Sequence, residues 1–138
     1  MPRERGYEIL EHTADVGLRA WGPDLSAVFE QAALGLIAIM GEGRGPVTRR
    51  EEIRLDAPDD VALLVDWLSE VLFLFDARSF VPRDIRASVA SGGVVAEIDG
   101  SDAQRFEQAG PAVKAVTYHD AVVRPTSDGY EARVYLDV

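Results

Sequence analysis

The sequence has 138 residues and a formal net charge of −10; 47% of its residues are hydrophobic and 28% are charged. This balance is typical of a globular protein and excludes an intrinsically disordered chain. The length predicts a single domain covering residues 1–138. The absence of cysteine excludes disulfides, thiolate metal sites and a cysteine nucleophile.

Hydropathy and charge also bear on location and partners. No apolar segment follows the basic residues near the N-terminus, and the apolar stretches 25–40 and 61–75 are short and interrupted by polar residues. We therefore expect a cytoplasmic protein without membrane association. The acidic charge disfavours independent nucleic-acid binding, because such affinity depends on basic groups that displace counterions. An acidic surface suits a basic protein partner, although it also simply promotes solubility.

The first half of the chain predicts two strands, a helix, a strand and a second helix. The strands cover residues 7–10 and 16–21, and the helix follows Asp24 and ends at Gly41. A further strand is predicted near residues 47–55. The second helix is predicted to open at Pro58 and to continue through Phe75, with a wide apolar stripe.

The second half predicts two hairpins. Residues 85–89 and 94–98 flank a Ser-Gly-Gly turn, and residues 115–123 and 130–138 flank a turn at 126–129. One helical turn is predicted near residues 103–108. The element order predicts an α+β, two-layer sandwich in which two amphipathic helices pack on one face of a mostly antiparallel, mixed β-sheet.

A polar turn between the first two strands contains His12 and Asp15. Both side chains can point out of the sheet there. A turn of this composition also forms for purely structural reasons, because Asp, Thr and His bond to local backbone groups. The turn alone leaves both roles open.

In the predicted C-terminal strand, the side chains of Asp137 and its apolar neighbour Leu136 point to opposite faces of the sheet. If Val138 is the native terminus, its α-carboxylate stands beside the Asp137 side chain. Two such carboxylates favour a cation, and oxygen ligands suit Ca²⁺, Mg²⁺ or Mn²⁺ better than Zn²⁺. A frayed, solvated terminus is the alternative.

Two further polar residues belong to the predicted strand 115–123 or its start: Lys114 directly precedes the strand, and His119 lies within it. Lys114 is the only lysine beside thirteen arginines, and its compact ammonium can approach a phosphate or carboxylate cluster that a guanidinium does not fit. It can also be a generic positive charge. His119 either lines the same polar face or is an ordinary hydrogen-bonded strand residue.

Catalytic sequence signatures are missing. The chain has no phosphate-binding glycine loop, nucleophile elbow, HExxH motif or dinucleotide fingerprint. We therefore predict that the protein is not an enzyme.

Three segments resemble the archease family. They are Glu11-His12-Thr13-Ala14-Asp15-Val16-Gly17, Lys114-Ala115-Val116-Thr117-Tyr118-His119 and the closing Leu136-Asp137-Val138. The two predicted helices resemble those of the same family, so the resemblance covers essentially the whole chain.

The resemblance implies a protein cofactor of an RtcB-type RNA ligase in tRNA splicing and RNA repair. Such a cofactor assists guanylylation of the ligase and permits its multiple turnover. Carried over by residue, the metal-binding positions fall on Asp15 and Asp137, with oxygen from Val138, and the functional lysine is Lys114. The metal expected is Ca²⁺ or Mn²⁺, with Mg²⁺ also suitable. His12 and His119 belong to the matched segments without an implied role.

Two other function classes remain open at this point. A small metal-dependent phosphoesterase would use the same carboxylates and would turn over substrate by itself. A general chaperone or scaffold would expose apolar surface and bind many clients.

Overall fold

The computed structural model describes residues 4–11 and 15–138. Its strands are β1 (Gly6–Glu11), β2 (Asp15–Gly22), β3 (Gly41–Glu42), β4 (Arg49–Asp56), β5 (Phe80–Ala90), β6 (Gly93–Asp102), β7 (Glu107–Gln108), β8 (Ala115–Thr126) and β9 (Gly129–Asp137). Its α-helices are α1 (Leu25–Met40) and α2 (Asp60–Arg78), and a short 3-10 helix covers Ala103–Arg105. No helix in these ranges is long and apolar enough to cross a membrane.

Helix α1 begins and ends where the sequence predicts. The Asp24 carboxylate accepts a hydrogen bond from the Ala27 amide at 2.8 Å, which satisfies one of the free donors of the first turn. Gly41 follows the last helical residue and directs the chain into β3. The buried residues of α1 lie mostly on one side, so burial of this face fixes the helix against the sheets.

The predicted start of α2 at Pro58 is wrong. The helix begins at Asp60, because the Asp59 side chain caps it by accepting from the Ala62 amide at 2.8 Å. Pro58 precedes this cap. The helix ends at Arg78 and is followed by the cap residue Ser79, which adopts a left-handed conformation with φ of 53°.

The strands form three sheets rather than one. The four-stranded sheet has the order β1-β2-β9-β8, the three-stranded sheet has the order β4-β6-β5, and β3 pairs with β7. Every pairing among the described strands is antiparallel. The predicted α+β class, with two helices and mostly antiparallel strands, is confirmed. The single mixed sheet of the prediction is instead three sheets, without parallel pairing among the described strands, because hydrogen bonding follows the hairpins and the antiparallel β2–β9 and β4–β6 pairs.

The core lies between the helices and the inner faces of the sheets. Its largest fully buried side chains include Trp67, Phe29 and Phe80. Trp67 also donates its indole N–H to the Phe29 carbonyl at 2.9 Å, which joins α2 to α1. Burying an indole N–H costs little free energy only when it forms a hydrogen bond, as it does here.

Helix α1 also covers the edge of the three-stranded sheet. The Ala87 amide of β5 donates to the Glu30 carboxylate at 2.9 Å, and the Val89 amide donates to the Ser26 hydroxyl at 2.9 Å. An unpaired strand edge would leave these donors unsatisfied. Side chains of α1 therefore replace the hydrogen bonds that a neighbouring strand would supply.

Both predicted hairpins are present. Ser91 and Gly92 form the two-residue turn between β5 and β6, with φ of 52° and 77°. Both residues have positive φ, as in a type I′ turn, whose twist matches that of the flanking strands. The helical turn predicted near residues 103–108 is the shorter 3-10 helix, and residues 107–108 pair with β3 instead.

Candidate functional site at the end of the four-stranded sheet

Asp15 and Asp137 lie directly opposite each other at one end of the four-stranded sheet. Asp15 is the first residue of β2, Asp137 is the last residue of β9, and the register pairs them. Directly opposed residues in antiparallel strands have Cβ atoms about 4.5–5.5 Å apart and project to the same face. Two acidic residues at opposite ends of the sequence thus form one carboxylate pair.

Strand β8 adds Lys114 to this end of the sheet. Ala115 pairs with Asp137 on the other side of β9, and the Lys114 amide donates to the Asp137 carbonyl at 2.7 Å. This contact fixes the Lys114 main chain beside Asp137, while the lysine side chain is exposed. All three segments that resemble one family contribute to this end of the sheet.

The last residue is anchored rather than frayed. Val138 is partly buried and packs against the hydrophobic core. The preceding Leu136 is fully buried. Because both apolar side chains are held, the main chain of Asp137 between them has a fixed position.

The opposed carboxylates suit a hard cation. Like charges directly opposite each other in a sheet repel, and a cation between them offsets that repulsion. Within residues 4–11 and 15–138, no group of three or more His, Asp or Glu side chains forms a ready metal cage. A cation held here by Asp15 and Asp137 would take its other ligands from main-chain or terminal oxygen at Val138, from water or from a partner.

His119 lies where the pairing of β8 with β9 is irregular. The register between β8 and β9 shifts between Thr117 and Val122, so residues 118–121 bulge out of the ladder. The His119 side chain is 75% exposed and its Nε2 lies 3.2 Å from the Asp120 carboxylate. Asp120 has a positive φ of 52°, which few non-glycine residues adopt. His119 therefore lies outside the regular part of the β8–β9 ladder, to which Asp137 belongs.

Tyr118 ties the same bulge to helix α2. Its hydroxyl donates to the Asp66 carboxylate at 3.5 Å. Partial desolvation raises the pKa of the Tyr118 phenol, and the negative charge of Asp66 raises it further. The raised pKa keeps the phenol protonated, and able to donate, to a higher pH than that of an ordinary tyrosine. His12, the other histidine of the matched segments, lies outside the described residues.

Sequence reasoning missed a group of arginines on the same face of the sheet. Arg19, Arg133 and Arg124 come from β2, β9 and β8, which are adjacent strands. Arg19 and Arg133 are paired in register. Strand alternation predicts that Arg133 shares a face with Asp137, but the neighbouring arginines become visible only when the strand order is known.

Comparison with known proteins identifies the family. The model of the Archease protein family (MTH1598/TM1083) matches residues 7–138. Protein archease of Methanosarcina acetivorans is 36% identical over 148 aligned positions, which cover 100% of both chains. The solution structure of protein 1598 from Methanobacterium thermoautotrophicum has a TM-score of 0.74 at 29% identity, covering 96% of this chain and 99% of that one.

A crystal structure of an archease from Thermotoga maritima, described as a possible chaperone, has the same fold. Its TM-score is 0.64 at 17% identity, and the match covers 95% of this chain and 96% of that one. The family match, the sequence identity and the shared fold all point to one family. They agree with the resemblance of the three segments that meet at this end of the four-stranded sheet. The chain belongs to the archease family.

Proposed function

We propose that this protein activates an RtcB-type RNA ligase in tRNA splicing and RNA repair. In this proposal, Asp15 and Asp137, with oxygen from Val138, bind a divalent cation, and Lys114 contributes a positive charge beside them. The protein promotes guanylylation of the ligase and permits the ligase to turn over repeatedly. The observation that carries the proposal is the direct pairing of Asp15 with Asp137 beside the Lys114 main chain.

A two-carboxylate site supports metal delivery better than permanent metal storage. Ca²⁺ takes six to eight oxygen ligands, and Mn²⁺ also prefers oxygen. A cation held by two aspartates and by oxygen from Val138 keeps coordination positions open. Groups of the ligase or of its nucleotide can fill these positions when the two proteins meet, so binding energy develops only in the complex.

A role as an activator also agrees with the chemistry of the site. A hydrolase needs a nucleophile with an activating base, or a metal-bound water with a positioned general base. Near the carboxylate pair, Lys114 is exposed and His119 lies in the bulge. We therefore propose that the protein is not itself an enzyme, and that isolated protein with Mn²⁺ does not hydrolyse phosphoesters.

Ligation with a cognate ligase tests the proposal. The ligase is incubated with GTP, Mn²⁺ and an excess of broken RNA, with and without substoichiometric amounts of this protein. We expect the protein to raise both the guanylylated fraction and the number of turnovers. Asp15→Asn and Asp137→Asn should each abolish the gain.

Asp84→Asn is the matched control, because it removes the same charge from an exposed strand residue of the three-stranded sheet. This variant should activate like the wild type. All three substitutions are polar and near-isosteric, and a change at an exposed residue such as Asp84 or Asp137 usually alters stability by about 0.5 kcal/mol or less; melting curves of each variant check that it is folded. Unchanged guanylylation and turnover with wild-type protein, or full activation by both site variants, would refute the proposal.

A further inference from the structure

We infer that the outer face of the four-stranded sheet carries a binding site for a phosphate group, formed by Arg19, Arg124 and Arg133. The three arginines line a cavity of about 70 Å³ together with Val122, Glu131 and Ala132. This inference does not depend on ligase activation. Arg133 precedes Asp137 by four positions in β9, so the cavity lies roughly 14 Å along the strand from the carboxylate pair.

The charges around the cavity are not balanced. Glu131 uses both carboxylate oxygens, because Oε2 lies 3.3 Å from an Arg19 nitrogen and Oε1 accepts from Arg124 Nε at 2.7 Å. Glu8 is a second, weaker partner of Arg19 at 3.6 Å. Among the described residues, three arginines on this face thus accompany two carboxylates, Glu131 and Glu8. This positive excess is unusual in a chain whose formal net charge is −10.

Arg133 has hydrogen-bonding capacity that the described residues do not use. Its Nε is buried and has no hydrogen-bond partner among them. Arg133 also lies directly opposite Arg19 in the register, and opposed like charges destabilise a sheet. A bound anion would offset this repulsion between the two guanidinium groups.

Aromatic rings orient two of the guanidinium groups without using their donors. The guanidinium carbon of Arg133 lies 5.9 Å from the centre of the Tyr135 ring, and that of Arg19 lies 4.8 Å from the Trp21 ring. Stacking of this kind holds the plane of the group by cation–π attraction and uses none of its N–H donors. The site is therefore partly organised before a ligand arrives.

The arrangement favours phosphate over carboxylate. A carboxylate is satisfied by one planar guanidinium fork, whereas a phosphate offers more oxygens in tetrahedral directions to groups that approach from three strands. The cavity is far smaller than the roughly 300–1,000 Å³ of pockets for drug-sized ligands. It has room for the phosphate group itself, while the rest of a phosphate ester would extend into solvent.

Amide-detected NMR titration tests the inference. Labelled protein is titrated with sodium phosphate, and separately with GMP, against sodium chloride at equal ionic strength. Saturable shifts centred on Arg19, Arg124 and Arg133 are expected with phosphate and GMP but not with chloride. Binding of inorganic phosphate alone or of both probes supports the site, and the stronger probe identifies the free ion or the ester as the better ligand.

Two variants and one control make the test specific. Arg133→Gln and Arg124→Gln should each raise the phosphate dissociation constant by at least about tenfold, the typical effect of losing a charge-assisted hydrogen bond. The Arg124 side chain is 65% exposed, so Arg124→Gln decides the matter if Arg133→Gln does not fold. Arg50→Gln makes the same charge change in the three-stranded sheet and should leave binding unchanged.

Three results would overturn the inference. They are shifts no larger with phosphate and GMP than with chloride, equal dissociation constants for Arg124→Gln and the wild type, and acetate binding as tight as phosphate binding.

Discussion

At the scale of single residues, the register between β2 and β9 brings together acidic side chains that are far apart in sequence. Asp15 and Asp137 are direct partners, and the flanking Val16–Leu136 pair faces the core. Because a slip of one residue would turn every side chain to the other face, burial of the apolar neighbours also fixes the position of the aspartates. The site thus depends on the core beneath it.

Cation binding by the carboxylate pair is the prediction at this scale. Calorimetry should detect Ca²⁺ or Mn²⁺ with a dissociation constant of roughly 10⁻⁴–10⁻³ M, the weak end of the range for calcium sites, because the chain provides few ligands. Zn²⁺ should not be required. Asp15→Asn with Asp137→Asn should remove the heat of binding, whereas Asp84→Asn should retain it. Equal heats for the double variant and the wild type would contradict the site.

At the scale of elements, the contact between α1 and β5 joins the helix layer to the three-stranded sheet. Glu30 accepts from the Ala87 amide with one oxygen and from Arg5 with the other, at 2.9 and 2.8 Å. The Glu30 side chain is 16% exposed. Its loss would leave a partly buried backbone donor without a partner, which is more costly than losing a solvent-exposed hydrogen bond.

Substitutions in α1 should therefore destabilise the protein more than equivalent changes elsewhere. Glu30→Ala should lower the free energy of unfolding by about 1–3 kcal/mol, and Ser26→Ala by about 1 kcal/mol. Glu30→Gln retains an acceptor and should cost less than Glu30→Ala. Urea denaturation provides the measurement, with Ser69→Ala on the exposed side of α2 as the control. A Ser26→Ala effect no larger than that of Ser69→Ala would argue against edge capping.

The three-stranded sheet also predicts a pH dependence. A hydrogen bond from Arg50 to Asp99 at 2.9 Å holds the pKa of this carboxyl below its usual range, against the opposing effect of desolvation. The folded state thus binds the Asp99 proton less readily than the unfolded state does. Its stabilising contribution is complete above the unfolded pKa, about 3.9, and is lost as pH falls through the lower folded value.

Melting temperatures between pH 7 and pH 2 test this linkage. Asp99→Asn should melt below the wild type at pH 7, and the difference should shrink as the pH falls below about 4. Arg50→Gln removes the main cause of the pKa shift and should show the same trend. A difference that is constant across this range would show that Asp99 does not contribute through its charge.

The elements also show how far the sequence could be interpreted alone. Helical periodicity and Asp24 located α1, and the turn residues near Gly92 located a hairpin, because these signals depend on neighbouring residues. The first residue of α2 is not fixed by the sequence, because Pro58 and Asp59 both suit a helix start. The β3–β7 pairing was missed because strands of two residues have no periodicity.

The candidate site, too, could be predicted only in part from the sequence. Asp15, Lys114 and Asp137 could be selected by residue type and resemblance, but their proximity depends on the β1-β2-β9-β8 strand order. The arginines of the outer face carried no sequence motif. The bulge at residues 118–121 could not be predicted either, because it is a register shift that depends on how β8 pairs with β9.

At the scale of the whole molecule, the charge distribution separates two kinds of interaction. The net charge of −10 opposes the approach of a polynucleotide, whose binding requires many basic contacts. The three-arginine site offers only one phosphate contact within this field. An acidic protein is attracted instead to a partner with a basic surface, such as the rim of an enzyme that binds RNA.

The last prediction concerns this long-range attraction. The purified protein should show no appreciable affinity for tRNA at physiological salt, whereas its association with the ligase should weaken by at least about tenfold between low and high salt, because salt screens attraction between opposite charges. Surface plasmon resonance at several salt concentrations separates the association rate from the dissociation rate. The loss should fall mainly on the association rate, since electrostatic steering acts before contact.

Glu52→Gln and Glu97→Gln, on the outer side of the three-stranded sheet, measure the general effect of charge, and Asp15→Asn measures the effect at the carboxylate pair. A larger loss of affinity for Asp15→Asn would place the contact at the end of the four-stranded sheet. Tight tRNA binding by the protein alone, or a ligase affinity that does not change with salt, would contradict the electrostatic account.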